Sequence, residues 1–157
     1  MRNLNDTFEA TPGSVGEARN RLAEFAVDAG ARATLVDAVR LAASEAMTNA
    51  VRYAYRGKAG AIHVRAAVVS GELWILVSDD GCGLQPHAYR PGLGLGLGLI
   101  SQLSDDFAIG SRASGGIEVR IRFNLGAPRS APAERETDRR SVSYLRRPGS
   151  TPSISPV

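Results

Sequence analysis

The sequence has one cysteine, few aromatic residues and no long apolar run, and each of these absences excludes a class of protein. A single thiol, Cys82, cannot form an internal disulfide, which excludes a disulfide-stapled miniature fold. No stretch approaches the roughly 20 apolar residues that a membrane span needs. The polar residues 1–11 also lack the apolar segment of a signal peptide. We therefore expect a soluble cytoplasmic protein that does not engage a membrane.

Hydrophobic residues nevertheless make up 43% of the chain while aromatics make up 6%, so the core must consist mainly of Ala, Val, Leu and Ile. Such a core favours layers of helix and sheet. The formal charge of +3 is confined to one end: residues 1–125 hold 13 basic and 13 acidic side chains, and residues 126–157 hold six arginines against three acids. Because the folded part has no excess of basic side chains, we expect no direct binding of nucleic acid.

The composition divides the chain into one domain, residues 1–125, and a tail, residues 126–157. Pro, Ser, Thr and Arg dominate the tail. A segment with so few apolar residues cannot bury enough surface to offset the entropy lost on ordering. We therefore predict that the tail is disordered.

Hydrophobic periodicity predicts three helices and four strands within the domain. The predicted helices are 14–29, 32–55 and 93–104, and the predicted strands are 61–69, 72–78, 107–113 and 117–125. Ser14 and Glu17 have the spacing of a capping box at the first helix, with Gly30 as its C-cap. The continuous apolar run in residues 73–77 predicts a central strand.

Glu45 and Asn49 lie one helical turn apart in the second predicted helix, so both fall on one face. The alanines beside them are small and would let a ligand or a sheet come close to the backbone. An amide oxygen can ligate a hard cation, and a carboxylate can act as a general base. An ordinary solvated polar face is the alternative interpretation of this pair.

Asp79-Asp80-Gly81-Cys82-Gly83 follows the predicted central strand directly. A carboxylate at the end of a strand can accept a hydrogen bond from an exocyclic amine such as that of adenine. The glycines lack a Cβ, so a planar base can pack close to them. An Asp-Gly turn between two elements explains the same residues. For His63 and His87 we expect plain surface or packing roles.

Glycine alternates with leucine in residues 92–99, at the start of the third predicted helix. Glycines spaced by two expose successive backbone N–H groups, and the start of a helix is a favourable site for phosphate. The phosphate-loop pattern G-x-x-x-x-G-K-[ST] is absent from the sequence, and the match to a dinucleotide-binding G-x-G-x-x-G is poor because no strand leads into it. A flexible glycine-rich connection is the alternative.

The order of these three features resembles the GHKL (Bergerat-fold) ATP-binding superfamily of gyrase B, Hsp90-type chaperones, sensor histidine kinases and MutL-type repair proteins. Residues 45–50 look like its N box, residues 79–83 like its G1 box and residues 94–100 like its G2 box. The resemblance covers about residues 8–125. It implies an α+β fold, a two-layer α/β sandwich with a mixed, mostly antiparallel sheet and helices on one face.

The resemblance also implies a role for each matching residue. Glu45 would be the catalytic base, Asn49 would hold Mg²⁺, and Asp79 would accept a hydrogen bond from the adenine amine. Gly94 and Gly96 would form the hinge of a lid over the phosphates. The implied ATP-binding residues are Asn49, Arg52, Asp79, Gly81, Gly83, Gly94, Leu95, Gly96, Leu97 and Gly98.

Three positions depart from the pattern of the superfamily. Arg52 stands where many histidine kinases have a phosphate-contacting lysine. Gly98 stands where a larger residue is usual. Gly116 is followed by Ile117 in place of the common threonine, which predicts the loss of a hydroxyl contact to the nucleotide.

Within the superfamily the chain resembles the small anti-sigma factor serine/threonine kinases of bacteria. The length of one bare ATPase domain, the string Ser44–Val51 and a short lid between Gly83 and Gly94 carry this match. It implies ATP and Mg²⁺ as cofactors, an anti-sigma factor antagonist as substrate, a sigma factor as partner, and a homodimer. Two alternatives stay open: an ATP-binding switch without transfer to protein, and an interaction module with a decayed nucleotide site.

Overall fold

The computed structural model describes residues 3–83 and 93–126 as five strands and three helices. In chain order these elements are β1 (Asn3–Glu9), α1 (Pro12–Asp28), α2 (Ala33–Tyr53), β2 (Ala61–Val69), β3 (Glu72–Asp79), α3 (Leu93–Leu103), β4 (Asp106–Ser111) and β5 (Ile117–Asn124). Residues 127–157 lie outside the described ranges, so the disordered tail stays a prediction.

The strands form one sheet in the order β1-β2-β3-β5-β4, and all four of the described pairings are antiparallel. The predicted α+β fold is confirmed, and the described part of the sheet contains no parallel pair. β3 is the central strand, as its apolar run predicted. Ser70 and Gly71 join β2 to β3 with positive φ angles of 52° and 79°, which is the geometry of a tight hairpin turn.

One face of the sheet packs against the helices, and none of the described elements covers the other, which we call the open face. Alternate residues of β3, namely Leu73, Ile75 and Val77, are buried, while the residues between them are partly exposed. The same alternation in β2 and β5 puts Ile62, Val64, Ile121 and Phe123 on the helix side. The small buried alanines of α2 let this helix lie close to α1 and to the sheet.

Strand β1 is missing from the prediction because its sequence is mostly polar. Only Leu4 and Phe8 supply apolar contact on the helix side of this edge strand. Asp6 lies between them in the alternation, and its carboxylate accepts two hydrogen bonds from Arg21 of α1, at 3.0 and 3.1 Å. A charge–charge pair therefore replaces the apolar contact that a sequence pattern would reveal.

The predicted capping box at Ser14 is wrong, because α1 begins two residues earlier. Pro12 occupies the first turn, where its fixed φ is favourable and its missing N–H costs nothing. The predicted C-cap is confirmed: Gly30 has φ 83°, and the Ala31 N–H donates to the carbonyl of Ala26 at 3.0 Å.

Candidate nucleotide site

Helix α2 presents Glu45 and Asn49 toward the first turns of α3. A Cβ added to Gly96 would lie 2.7 Å from Glu45 Oε2 and 3.4 Å from Asn49 Nδ2. Only a glycine lets α3 approach these two polar groups so closely. The fold therefore brings three of the predicted site residues together from two separate segments.

The amide of Asn49 has a buried nitrogen without a hydrogen-bond partner among the described residues. A buried polar group that the protein leaves unsatisfied commonly faces a ligand, an ion or water. Rotation of the amide by 180° exchanges its nitrogen and oxygen, so the oxygen that a hard cation prefers can occupy the same place. The residues present thus fit a magnesium ion held by one amide oxygen together with phosphate and water.

The glycines of the 94–98 segment lie inside a helix. Gly94 and Gly96 belong to the first turn of α3, whose N–H groups have no carbonyl partner within the helix. These N–H groups and the helix dipole favour an anion at this end. The side chain of Leu95 and residues 84–92, which include most of the predicted lid, lie outside the described part of the structure.

Asp79 ends the central strand and is only 4% exposed. Its Oδ1 accepts hydrogen bonds from the backbone N–H groups of Gly81, at 2.9 Å, and Ile117, at 3.3 Å. Among the described residues no donor reaches Oδ2. The carboxylate is therefore fixed by one oxygen and has the other available to a ligand donor.

Burial raises the pKa of Asp79 above its ordinary value, against the opposing effect of the two backbone hydrogen bonds. A carboxyl group with a raised pKa favours the fold at low pH, and that contribution is lost as the pH rises through the folded pKa. The ionised Asp79 therefore lowers the stability of the free protein near neutral pH. Functional sites often carry such a cost.

Two glycines beside Asp79 are required by close backbone contacts. A Cβ on Gly81 would lie 2.2 Å from the carbonyl oxygen of Ala54, at the end of α2. A Cβ on Gly116, which has φ 80°, would lie 2.0 Å from the carbonyl oxygen of Asp79. The loop after β3 is thus held between the end of α2 and the β4–β5 turn.

The loss of a hydroxyl contact to the nucleotide at Ile117 stays a prediction. The Ile117 backbone N–H makes a separate contact that the side-chain pattern did not indicate, because it donates to Asp79 Oδ1. Because a backbone group makes this contact to Asp79, it does not depend on which side chain occupies position 117. Sequence comparison of side chains alone could not reveal it.

The remaining predicted site residues lie near this region without a contact that defines their role. Arg52 is exposed in the last turn of α2, one turn beyond Asn49. Gly83 has φ 71°, and a Cβ there would lie 3.7 Å from the Gly116 carbonyl oxygen. Leu97 packs partly buried against the core, and a Cβ on Gly98 would meet nothing within 4 Å.

Four polar residues beside the Asp79 loop are not among the predicted site residues: Tyr55, His63, Asp80 and Arg112. The two oxygens of Asp80 bond to different partners, His63 Nε2 at 2.7 Å and Arg112 Nη1 at 2.5 Å. His63 therefore lies near the surface, where it is hydrogen-bonded to Asp80. These partners come from the connection after α2, from β2 and from the β4–β5 turn, so no local motif could have indicated them.

Replacing Asp80 with asparagine is expected to lower the melting temperature of the free protein slightly at pH 7. The hydrogen bond from His63, and then that from Arg112, hold the pKa of Asp80 below its ordinary value. A lowered pKa stabilises the fold above roughly pH 4, and the effect is lost as the pH falls through the folded pKa. Thermal melts of both proteins from pH 7 downward should converge; a constant difference at every pH would contradict this role.

Residues 3–83 and 93–126 contain no group of three His, Cys, Asp or Glu side chains that could hold a metal ion. None of the helices in these ranges has the length and apolarity to cross a membrane.

Comparison with known proteins agrees with this geometry. A serine-protein kinase RsbW from Bacillus licheniformis is 33% identical over 128 residues, which cover 74% of this chain and 76% of that protein. An anti-sigma F factor from Clostridium acetobutylicum is 29% identical over 116 residues, covering 67% and 81%. These names confirm the resemblance to anti-sigma factor kinases.

The fold is also similar to a crystal structure of the RsbU and RsbW domains of a Mycobacterium tuberculosis protein, with a TM-score of 0.61 and 24% identity. The alignment covers 80% of this chain, which spans about a third of that polypeptide (32%). The family model for the histidine kinase-like ATPase domain matches residues 8–123, which include every predicted site residue. The chain belongs to the histidine kinase-like ATPase domain family.

Proposed function

We propose that this protein is an ATP-dependent serine/threonine kinase that acts as an anti-sigma factor. The observation that carries the proposal is the convergence of Glu45 and Asn49 of α2 with Gly96 of α3. The C-terminal end of α2 also contacts the Asp79 loop, through a hydrogen bond from the Cys82 N–H to the Ala54 carbonyl. One end of this arrangement suits an adenine base and the other suits phosphates. The names of the RsbW and anti-sigma F relatives support the same activity.

The base end depends on Asp79 and its glycines. Asp79 Oδ2 accepts a hydrogen bond from the exocyclic amine, because Oδ1 is already used by two backbone donors. Gly83 lines the space for the face of the base, and Gly81 lets the loop pack against the Ala54 carbonyl beside it. A buried acceptor favours adenine strongly over bases that lack a donor at this position, because such a base leaves the carboxylate unpaired.

The phosphate end depends on α2 and the start of α3. The N–H groups around Gly94 and Gly96 donate to phosphate oxygens, and Arg52 adds a positive charge nearby. Asn49 would hold Mg²⁺, whose charge when bound offsets that of the phosphates. The short distance between Gly96 and Glu45 keeps the carboxylate next to the phosphate-binding backbone.

Glu45 is the base for the transfer step. It accepts the proton of the serine or threonine hydroxyl as the hydroxyl oxygen bonds to the γ-phosphorus. The bond from the γ-phosphorus to its bridging oxygen breaks, and ADP leaves with that electron pair. Positioning and neutralisation of charge supply most of the rate increase in such reactions.

The proposed acceptor is a small anti-sigma factor antagonist, and the proposed binding partner is a sigma factor. A homodimer in the cytoplasm is the proposed working form. Phosphorylation of the antagonist sets which of the two proteins the kinase holds. ATP then serves both as phosphoryl donor and as the ligand that selects the partner.

Incubation with γ-labelled ATP, Mg²⁺ and a purified antagonist tests this function. The proposal predicts label on a serine or threonine of the antagonist, and no label when Glu45→Gln replaces the wild type. Free labelled phosphate alone would instead indicate an ATP switch without transfer to protein. Absence of both, with no ATP binding by calorimetry, would indicate an interaction module and overturn the proposal.

A further inference from the structure

Asp79 and Asp80 are adjacent in sequence but serve opposite sides of the sheet. Asp79 continues the alternation of Ile75 and Val77 toward the helices and the site. The side chain of Asp80 points to the opposite face and is hydrogen-bonded to His63, which lies on the open face of β2. One aspartate therefore faces the ligand region, and the other faces protein groups behind it.

Both side-chain oxygens and the backbone N–H of Asp80 are used within the protein. Oδ1 accepts from Arg112 Nη1 and Oδ2 bonds to His63 Nε2. The Asp80 N–H donates to the Tyr55 hydroxyl at 2.8 Å, and that hydroxyl donates to the Ala61 carbonyl. Three segments, namely the connection after α2, strand β2 and the β4–β5 turn, are thereby joined at a single loop residue.

Arg112 connects this cluster to Asp79 itself. Its Nη1 also donates to the Asp79 carbonyl oxygen at 2.9 Å. Arg112 is the first residue of the β4–β5 turn, Gly116 is the last, and Gly116 and the following residue, Ile117, also lie against Asp79. The turn is closed by hydrogen bonds between Arg112 and Gly116 and between Gly115 and Arg112, which join the backbone of Arg112 to the residue that precedes Ile117.

We propose that Arg112 and Asp80 are positioning residues that fix the orientation of the Asp79 carboxylate and so set the selectivity for adenine. The proposal rests on the proposed nucleotide site and adds residues that do not touch the nucleotide. We call Arg112 and Asp80 the clamp. Loosening the clamp lets the loop after β3 rotate, so that Asp79 Oδ2 loses its alignment with the exocyclic amine. Binding of the phosphates, which depends on α2 and α3, is unaffected.

A comparison of ATP with inosine triphosphate tests the clamp. Inosine has a carbonyl oxygen where adenine has its amine, so its binding gains nothing from an aligned Asp79. Titration calorimetry of Arg112→Ala with Mg²⁺ is expected to show ATP binding weakened about tenfold. Binding of inosine triphosphate should change by less than about twofold, because it lacks the charge-assisted hydrogen bond. The ratio of the affinity for ATP to that for inosine triphosphate should therefore fall about tenfold.

Matched variants separate positioning from general damage. Arg112→Lys keeps the charge and one donor, and should restore part of the ATP preference. Asp80→Asn should lower the preference less than Arg112→Ala. Arg65→Ala removes an exposed arginine that pairs with Glu118 on the open face, and should leave both affinities unchanged.

The outcomes are distinguishable. The clamp would be overturned if folded Arg112→Ala bound both nucleotides more weakly by the same factor, or if its preference for ATP over inosine triphosphate were unchanged. In either case, ATP binding by the wild type would still support the proposed nucleotide site. If Arg112→Ala does not fold, the preference measured for Asp80→Asn and Arg112→Lys decides in the same way. If the wild type binds neither nucleotide, the proposed function itself is wrong and the clamp is overturned with it.

Discussion

Asp79→Asn is expected to abolish measurable ATP binding while making the free protein more stable. The asparagine oxygen can still accept from the Gly81 and Ile117 N–H groups. Its amide nitrogen, however, replaces Oδ2 and presents donors to the donor amine of adenine. Loss of a charged, buried hydrogen bond and creation of a donor–donor contact should weaken ATP binding at least about 100-fold.

The gain in stability follows from the raised pKa of Asp79. Burial disfavours the ionised carboxylate, so a neutral amide of the same shape removes that penalty near pH 7. Calorimetry with Mg²⁺-ATP and chemical unfolding of the same samples measure both effects. Asp37→Asn, an exposed change on α2, is the control for loss of one negative charge. Unchanged ATP affinity in Asp79→Asn would refute the assignment of the base site.

Glu45→Gln is expected to bind ATP with an affinity within about twofold of the wild type and to lose phosphoryl transfer. A positioned general base typically contributes about 10²- to 10⁴-fold in rate, and glutamine cannot accept the hydroxyl proton. The effect should therefore fall on the rate of transfer and not on binding. Single-turnover transfer of labelled phosphate to the antagonist measures it. Transfer at the wild-type rate would remove Glu45 from the chemistry.

Gly96→Ala should reproduce part of this loss without changing an ionisable group. The added methyl would lie 2.7 Å from Glu45 Oε2, so the carboxylate or α3 must shift. A displacement of this size in a catalytic group can lower the rate about 10²-fold. Gly110→Ala on β4, where an added Cβ meets nothing within 4 Å, is the matched control and should retain transfer. Equal rates in the two alanine variants would contradict the proposed contact.

The sequence predicted the parts of the fold that have a strong local pattern. β3 was recognisable from the run Leu73–Val77, and α2 from alanines and aliphatics at helical spacing that bury one face. β1 was not, because Asp6 occupies a helix-facing position and is paired with Arg21. A long-range ion pair leaves no periodic signal in either segment.

The same distinction applies to the candidate site. Glu45, Asn49 and Asp79 could be proposed because helical spacing and the end of a strand fix their local setting, and the family pattern then gave each a role. Gly116 and Arg112 could not, since their contacts to Asp79 depend on how the β4–β5 turn folds back beside β3. Their significance lies in tertiary contacts that neighbouring residues in the sequence do not encode.

A crystal structure with Mg²⁺ and a non-hydrolysable ATP analogue tests the central claim most directly. We expect the adenine amine within hydrogen-bonding distance of Asp79 Oδ2, the Asn49 amide oxygen among the magnesium ligands, and phosphate oxygens at the N-terminus of α3. A nucleotide bound elsewhere on the domain, or one bound here with its base away from Asp79, would contradict it.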